Sequence, residues 1–255
     1  MQYQEFGADQ KETILLLHGG GLSWWNYREE AQLLQKEYHI ILPILDGHSG
    51  SDQPFTTIED NAEEIIAWVD TACGGSVLFM GGLSLGAQIL LEILSQRGSI
   101  CTCALVESAA VIPSAAEKAM IGPAIRSSYG LIRNRRFAQM QFKSLRIRED
   151  LFEDYYRDSS RIARDDMIAF LRANAAYCMK DALRDTAARL EVCVGEREAG
   201  RMRKSAKAIC EMVPSAQMHC LNGLYHGEYS LNHAQAYAGA VRQIINRKRE
   251  ELRLL

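Results

Sequence analysis

The chain has 255 residues, of which 47% are hydrophobic and 24% are charged, a composition typical of a soluble globular protein. This length is enough for one domain with a sizeable core. The formal net charge of −3 gives no reason to expect a nucleic acid or an anionic membrane as a partner. No apolar run approaches the roughly 20 residues that a membrane-spanning helix needs. Because the N-terminal segment is polar and unlike a signal peptide, we expect a cytoplasmic protein.

The number and spacing of the cysteines argue against disulfides and metal sites. Their number, seven, is odd, and no two of them have the CxxC spacing. Four of them lie in apolar runs, namely Cys101, Cys103, Cys193 and Cys220. This pattern predicts buried thiols in a reducing compartment rather than a disulfide framework or a zinc site. We expect neither a metal nor an organic cofactor.

Apolar runs alternate with helical patterns along the first part of the chain. Strands are predicted at residues 13–17, 40–45, 76–80 and 101–106. Helices are predicted at residues 24–35, 58–72 and 84–96. Strands that alternate with helices form a mainly parallel sheet with helices on its faces. The predicted fold class is therefore α/β, with a mainly parallel central sheet flanked by helices.

The alternation is interrupted in the middle of the chain. Residues 111–186 are charged and helix-prone and contain no convincing buried strand. We interpret this stretch as a helical lid inserted in a core made of residues 1–110 and 187–255. Within the second core segment, strands are predicted at 190–194 and 217–221, and helices at 199–212 and 233–252.

A glycine-flanked serine lies between a predicted strand and a predicted helix, in the segment GLSLG. A serine hydroxyl attacks only where it is exposed, has a base in reach and has donors for the oxyanion it creates. A sharp strand-to-helix turn would expose Ser84, and it needs small residues such as Gly82 and Gly86 on either side. The backbone N–H of Leu85 would then lie at a helix N-terminus, where negative charge is favoured. The alternative is a glycine-rich turn that contains a serine by chance.

Two further loops follow early strands. In the first, HGGG, consecutive glycines let backbone N–H groups approach a ligand closely, so Gly20 or Gly21 is a candidate oxyanion donor. The alternative is a flexible turn with a structural histidine. The second loop, DGHSGSD at residues 46–52, is expected to shape the rim of the site, with His48 stabilising the loop.

The three motifs HGGG, DGHSGSD and GLSLG, with a helical segment after the next strand, resemble the α/β-hydrolase fold family over essentially the whole chain. In that family the nucleophile is followed along the chain by an acid and then by a histidine. Serine at the nucleophile position disfavours members with aspartate there, such as haloalkane dehalogenases and epoxide hydrolases. The short N-terminal segment implies a sheet that lacks one or two antiparallel strands of larger members.

Three histidines lie late enough to complete that order: His219, His226 and His233. His219 falls inside a predicted strand and His233 at the start of the last predicted helix. His226 lies in the loop between them, and loops at the carboxyl ends of parallel strands are where such sheets place their sites. His226 is therefore the predicted base, which takes the proton from Ser84 and returns it to the leaving group.

Two glutamates compete for the role of the acid. Glu198 follows a late strand in the segment GERE, where the resemblance implies an acid, usually an aspartate. Glu107 ends the strand before the predicted lid, where some family members carry their acid. We favour Glu198 and keep Glu107 as the alternative; the other glutamate would be a rim charge or an ion-pair partner.

The resemblance implies a serine hydrolase of the carboxylesterase type that cleaves a small ester, thioester or lactone through an acyl-enzyme. The expected partner is a small-molecule substrate, and the expected assembly is a monomer or a small homo-oligomer. One alternative is a carbon–carbon hydrolase or lyase with the same three residues. Another is a low-turnover ligand-binding or signalling protein of the same fold. A dinucleotide-binding oxidoreductase is disfavoured because the glycine spacing is GGxxxG rather than GxGxxG.

Two adjacent tryptophans, Trp24 and Trp25, follow the HGGG loop closely. Neighbouring residues on a helix point about 100° apart, so the two side chains are not expected to share a role. We expect one of them to line the substrate pocket and the other to pack on the core.

Overall fold

The structure, a computed structural model, describes residues 1–253, with the side chain of Leu252 excepted. Its centre is one sheet with strands β1 (Gln2–Phe6), β2 (Thr13–Leu17), β3 (His39–Ile44), β4 (Val77–Leu83), β5 (Cys101–Glu107), β6 (Arg189–Gly195) and β7 (Gln217–Leu221). The strand order is β1-β3-β2-β4-β5-β6-β7. Only the pairing of β1 with β3 is antiparallel within the described sheet. The predicted α/β class with a mainly parallel sheet is confirmed.

Helices flank this sheet. Their bounds are α1 (Arg28–Leu34), α2 (Ile58–Cys73), α3 (Leu85–Gln96), α4 (Ala115–Ile132), α5 (Arg135–Ser144), α6 (Phe152–Ser159), α7 (Arg164–Ala176), α8 (Gly200–Met212), α9 (Glu228–Asn232) and α10 (Ala234–Arg253). Short 3₁₀ helices cover Trp24–Tyr27, Glu149–Leu151 and Asp181–Asp185. None of the helices in residues 1–253 is both long and apolar enough to span a membrane.

Both faces of the sheet are buried, which explains the continuous apolar sequence of its inner strands. In β2, Leu15 and Leu17 belong to the apolar cluster on one face, and Ile14 and Leu16 belong to the cluster on the other. All four side chains are almost fully buried. Successive residues of a strand point to opposite faces, so a strand covered on both sides is mostly apolar along its length.

The sheet edges are where the sequence predictions were incomplete. Strand β1 has the polar sequence QYQEF and is mostly exposed, so it carries little apolar signal. Strand β7 lies at the opposite edge, and most of its residues are exposed or half-buried. The prediction of a buried thiol at Cys220, in β7, is therefore wrong, whereas Cys101, Cys103 and Cys193 on the inner strands are buried.

The segment between β5 and β6, called here the helical insertion, contains α4 to α7 and two of the 3₁₀ helices. It is joined to the rest of the chain by polar contacts. The buried carboxylate of Asp158 accepts hydrogen bonds from Trp25 Nε1 at 2.9 Å and from Ser49 Oγ at 3.1 Å. Asp166 accepts from the backbone N–H of Phe55 at 2.9 Å. Of the predicted core segments, residues 254 and 255 lie outside the described residues.

Candidate active site

Ser84 lies at the turn between β4 and α3, and its backbone is strained. Its φ of 52° and ψ of −108° are values that a residue with a side chain rarely adopts. The backbone N–H of Ser84 donates to the carbonyl of Glu107 at 2.9 Å, which ties the turn to the end of the neighbouring strand β5. Ser84 is half-buried, and a strained strand-to-helix turn of this kind can present a side chain as a nucleophile.

The loops after β6 and β7 bring Glu198 and His226 together. Nδ1 of His226 lies 2.9 Å from Oε2 of Glu198. The Glu198 side chain is fully buried, whereas that of His226 is 47% exposed. With Nδ1–H donating to the carboxylate, Nε2 of His226 remains the basic nitrogen. Ser84 and His226 line the same cavity of about 90 Å³, so the structure gathers these three predicted residues in one place.

The Glu198 carboxylate is held by two more donors. Its Oε1 accepts from the backbone N–H of Gly195 at 2.7 Å and from Ser108 Oγ at 2.8 Å. Burial alone would raise the pKa of Glu198, but the hydrogen bond and charge of His226, with those of Gly195 and Ser108, outweigh it and lower the pKa. Glu198 is therefore ionised at neutral pH. Ser108 could not be found from the sequence, because no local pattern marks a serine that contacts a residue 90 positions away.

Glu107, the alternative acid, lies elsewhere in the same region. Its Oε1 accepts the backbone N–H of Ser230 at 3.3 Å, and its Oε2 has no hydrogen-bond partner among the described residues. Burial raises the pKa of Glu107 to about 7, so a large fraction of it is protonated at neutral pH. The geometry therefore places Glu198, and not Glu107, against the imidazole of His226.

The three candidate oxyanion donors, Leu85, Gly20 and Gly21, differ in whether their backbone N–H groups already have an acceptor. Leu85 is the first residue of α3, and a first-turn N–H has no acceptor within its helix. In the HGGG loop, the N–H of Gly21 donates to Nε2 of His48 at 3.0 Å. Because this N–H is occupied, the prediction of Gly21 as an alternative oxyanion donor is not supported. Gly20 lines the cavity with Ser84. Leu85 and Gly20 are thus the pair that the geometry leaves available.

Two buried neutral histidines hold the HGGG loop in place. Nε2 of His18 accepts from the N–H of Leu45 at 3.1 Å, as Nε2 of His48 does from Gly21. Nδ1 of His48 lies 3.0 Å from the carbonyl of Asp46. Burial lowers the pKa of His18 to about 3 and that of His48 to about 4. Both rings are therefore neutral, and His48 has the loop-stabilising place expected from the sequence.

Acidification is expected to remove part of the stability that this pair provides. Because the pKa of His48 is about 4 in the fold, against roughly 6.5 in an unfolded chain, the unfolded state binds more protons below pH 6.5. The stability linked to neutral His48 is fully present above about pH 6.5. At pH 5 the unfolding free energy is lower by about 2 kcal/mol. Between pH 7 and pH 5, His48→Gln should lose about 2 kcal/mol less unfolding free energy than wild type. Denaturant titrations at both values test this; equal losses would contradict it.

A family comparison fits this geometry. A model described as the alpha/beta hydrolase family matches residues 14–240, which is most of the chain. The chain belongs to the α/β-hydrolase family. Within residues 1–253 of this α/β-hydrolase, no group of three or more His, Cys, Asp and Glu side chains is arranged to hold a metal ion.

Solved structures share the fold at low sequence identity. A thermophilic esterase from Thermogutta terrifontis is 16% identical with a TM-score of 0.79, covering 97% of this chain and 93% of that one. An esterase from Exiguobacterium antarcticum is 16% identical with a TM-score of 0.79, covering 96% and 94%. A carboxylesterase structure from Nitrososphaera gargenis is 16% identical with a TM-score of 0.78, covering 98% and 95%. At this identity the likeness concerns the fold.

A larger cavity adjoins the one at Ser84. It has a volume of about 280 Å³ and shares Gly20, Leu22 and Leu145 with the smaller cavity as lining residues. The helical insertion supplies most of its apolar wall, including Ile125, Ile132, Phe137, Tyr155, Met167 and Phe170. Both adjoining cavities therefore have mainly apolar linings, and the smaller one also contains Ser84 and His226.

The prediction that Trp24 or Trp25 lines the pocket does not hold in this structure, since neither is among the residues that line the two cavities. Trp25 is buried and donates its Nε1–H to Asp158 of the helical insertion. Trp24 packs on Phe6, and the guanidinium of Arg28 lies 5.8 Å from its ring centroid. The tight 3₁₀ turn at Trp24–Tyr27 directs the two rings to the core and to strand β1.

Proposed function

We propose that this α/β-hydrolase is a serine hydrolase that cleaves a small ester, thioester or lactone through an acyl-enzyme on Ser84. The observation that carries the proposal is the hydrogen bond between buried Glu198 and His226 at 2.9 Å, beside a cavity that His226 shares with the strained Ser84. A nucleophile, a base and an acid that orients the base are the parts that acyl transfer requires.

The proposed reaction proceeds in two halves. Nε2 of His226 takes the proton of Ser84 Oγ while that oxygen attacks the carbonyl carbon of the substrate. The N–H groups of Leu85 and Gly20 hold the resulting oxyanion. The imidazolium, stabilised by ionised Glu198, gives its proton to the leaving group as the acyl-enzyme forms. A water then attacks the acyl carbon with His226 again as base, which releases the acid and restores Ser84.

The apolar pocket supports an ester with a hydrocarbon portion. Its volume of about 280 Å³ and its apolar wall suit a short or medium acyl chain rather than a large polar group. Each methylene buried there would contribute about 0.8 kcal/mol to binding. Three structural neighbours are described as esterases or carboxylesterases, which agrees with this substrate class.

Labelling with a fluorophosphonate probe, read by intact protein mass, tests the proposal. We expect one adduct on wild type and none on Ser84→Ala or His226→Ala, since the hydroxyl is absent in the first and not activated in the second. Ser127→Ala, on an exposed position of α4, is the matched control and should label like wild type. Hydrolysis of p-nitrophenyl esters of increasing chain length would then size the pocket.

The outcomes separate the alternatives. An adduct that persists on Ser84→Ala, or no adduct on folded wild type, would refute the assignment of Ser84. An adduct that forms without turnover of any ester would favour the low-turnover binding protein.

A further inference from the structure

Two arginines lie over the ring of Tyr225, the residue directly before His226. The guanidinium carbon of Arg146 is 3.8 Å from the ring centroid, and that of Arg197 is 5.6 Å from it. The face of an aromatic ring attracts a guanidinium, so Tyr225 keeps both groups near its own position. Two positive charges are thus gathered beside the candidate base, although they come from distant parts of the sequence.

The chain neighbours of these arginines belong to the candidate active site. Leu145 and Ile147, on either side of Arg146, both line that cavity. Arg197 directly precedes Glu198, the partner of His226. Both arginine side chains are exposed, so their charged ends are accessible to a molecule that enters from solvent.

The backbone of Arg146 is held in an unusual conformation. Its φ is 57°, and the other non-glycine residues with positive φ in the described structure are Ser84 and Ser108. Ser84 and Ser108 belong to the candidate active site, and Arg146 lies between two residues that line the cavity of Ser84. Asn232 of α9 fixes the loop, since its Nδ2 donates to the carbonyl of Arg146 at 2.8 Å. Strain of this kind persists only where the surroundings impose it, and it gathers at functional sites.

Arg146 and Arg197 lack the ion pairs that Arg135 and Arg148 of the helical insertion form. Arg135 pairs with Glu153, and Arg148 pairs with Glu29. Among the described residues, neither Arg146 nor Arg197 has a carboxylate within salt-bridge distance. The guanidinium N–H groups of both residues are therefore available to a ligand.

Two carboxylates on neighbouring loops are occupied by backbone groups. Glu196 accepts the N–H of Gly223 at 2.8 Å, and Glu228 accepts the N–H of Tyr225 at 2.7 Å. They stabilise the loop that carries His226 rather than neutralising the arginines. Their charge also means that a monoanion would meet less repulsion here than a phosphate dianion.

We propose that Arg146 and Arg197 form a subsite for a carboxylate group on the substrate. A guanidinium presents paired N–H donors that match a carboxylate in shape and charge. Because Tyr225 and Asn232 already hold the region of Arg146, binding costs less ordering of the protein than it would at a mobile side chain. The inference rests on the proposed function, since it assigns a charged substituent to the ester that Ser84 cleaves.

A pair of matched esters tests the subsite. p-Nitrophenyl butyrate is neutral, and mono-p-nitrophenyl glutarate extends the acyl chain to a terminal carboxylate with the same leaving group. The readout is the ratio of kcat/KM for the anionic ester to that for the neutral ester. We expect Arg146→Gln and Arg197→Gln each to lower this ratio about tenfold. We also expect the wild-type ratio to fall as ionic strength rises.

Arg184→Gln is the control, because it removes the same charge from an exposed position in the 3₁₀ helix Asp181–Asp185, which packs against α3. Its ratio should equal that of wild type. Hydrolysis of the neutral ester with a ratio unchanged in both variants would overturn the subsite alone. No hydrolysis of either ester and no fluorophosphonate adduct would overturn the proposed function and the subsite with it.

Discussion

Glu198→Gln is expected to lower kcat/KM on short esters by about 10⁴-fold, the loss seen when the acid of such a triad is made neutral. The glutamine keeps the shape of the side chain but removes the charge that stabilises the imidazolium of His226. Its amide can also present a donor to Nδ1, which would favour the tautomer with the proton on Nε2. In that tautomer His226 cannot accept the proton of Ser84.

The same assay on Glu107→Gln distinguishes the two candidate acids. Burial raises the pKa of Glu107 to about 7, so the neutral glutamine resembles a form that the wild-type residue already adopts at neutral pH. We expect a loss of less than tenfold from this substitution. Circular dichroism and thermal melting of both variants would show that the comparison is made on folded protein. A larger loss in Glu107→Gln than in Glu198→Gln would reverse the assignment.

A shortened acid gives a third measurement. Glu198→Asp keeps the charge but withdraws the carboxylate by one methylene from His226, Gly195 and Ser108, all of which contact it within 2.9 Å. We expect kcat/KM between those of wild type and Glu198→Gln, because the charge remains and the alignment is lost. Activity equal to wild type would mean that the loop after β6 adapts to the shorter side chain.

The sequence was most informative where one strand or helix determines the pattern. Strand β5 was predicted at 101–106 and spans Cys101–Glu107. The prediction was close because inner strands of a parallel sheet are nearly continuous apolar runs. Strand β1 was not predicted because its place is set by pairing with residues of β3 that lie 34 to 42 positions further along the chain, and not by its own polar sequence. The short helix α9 was also not predicted, because five residues are too few to show a helical periodicity.

The same distinction separates what could be foreseen of the candidate site from what could not. Ser84 belongs to a local motif whose five residues determine the turn. The choice between Glu107 and Glu198 is not local, because Glu107 ends β5 and Glu198 follows β6, and these two adjacent strands are parallel and end at the same edge of the sheet. Only the three-dimensional structure separates a carboxylate that meets His226 from one that meets Ser230.

Gly86→Ala is expected to reduce both stability and activity, by about 2–4 kcal/mol in unfolding free energy and at least about 10²-fold in kcat/KM. A Cβ at Gly86 would lie 2.2 Å from the carbonyl oxygen of Leu17 and 2.6 Å from that of His18. Both are backbone atoms at the end of β2, so no side-chain rotation relieves the clash. Helix α3 would have to move away from the HGGG loop, which separates the N–H of Leu85 from that of Gly20.

Gly239→Ala provides the matched control, because Gly239 lies inside α10 and a Cβ there would meet no atom within 4 Å. Alanine in a helix interior is favoured over glycine, so this variant should gain about 0.5–1 kcal/mol. Both glycines have ordinary φ values, so the comparison isolates the close approach of α3 to β2 from any requirement for left-handed backbone. Chemical denaturation should therefore show lower stability for Gly86→Ala and higher stability for Gly239→Ala than for wild type. Esterase assays on the same two variants measure the effect on activity. If the two variants are equally stable, the strand-to-helix turn at Ser84 tolerates a methyl group at residue 86. The close approach to Leu17 would then not be the reason for glycine at this position.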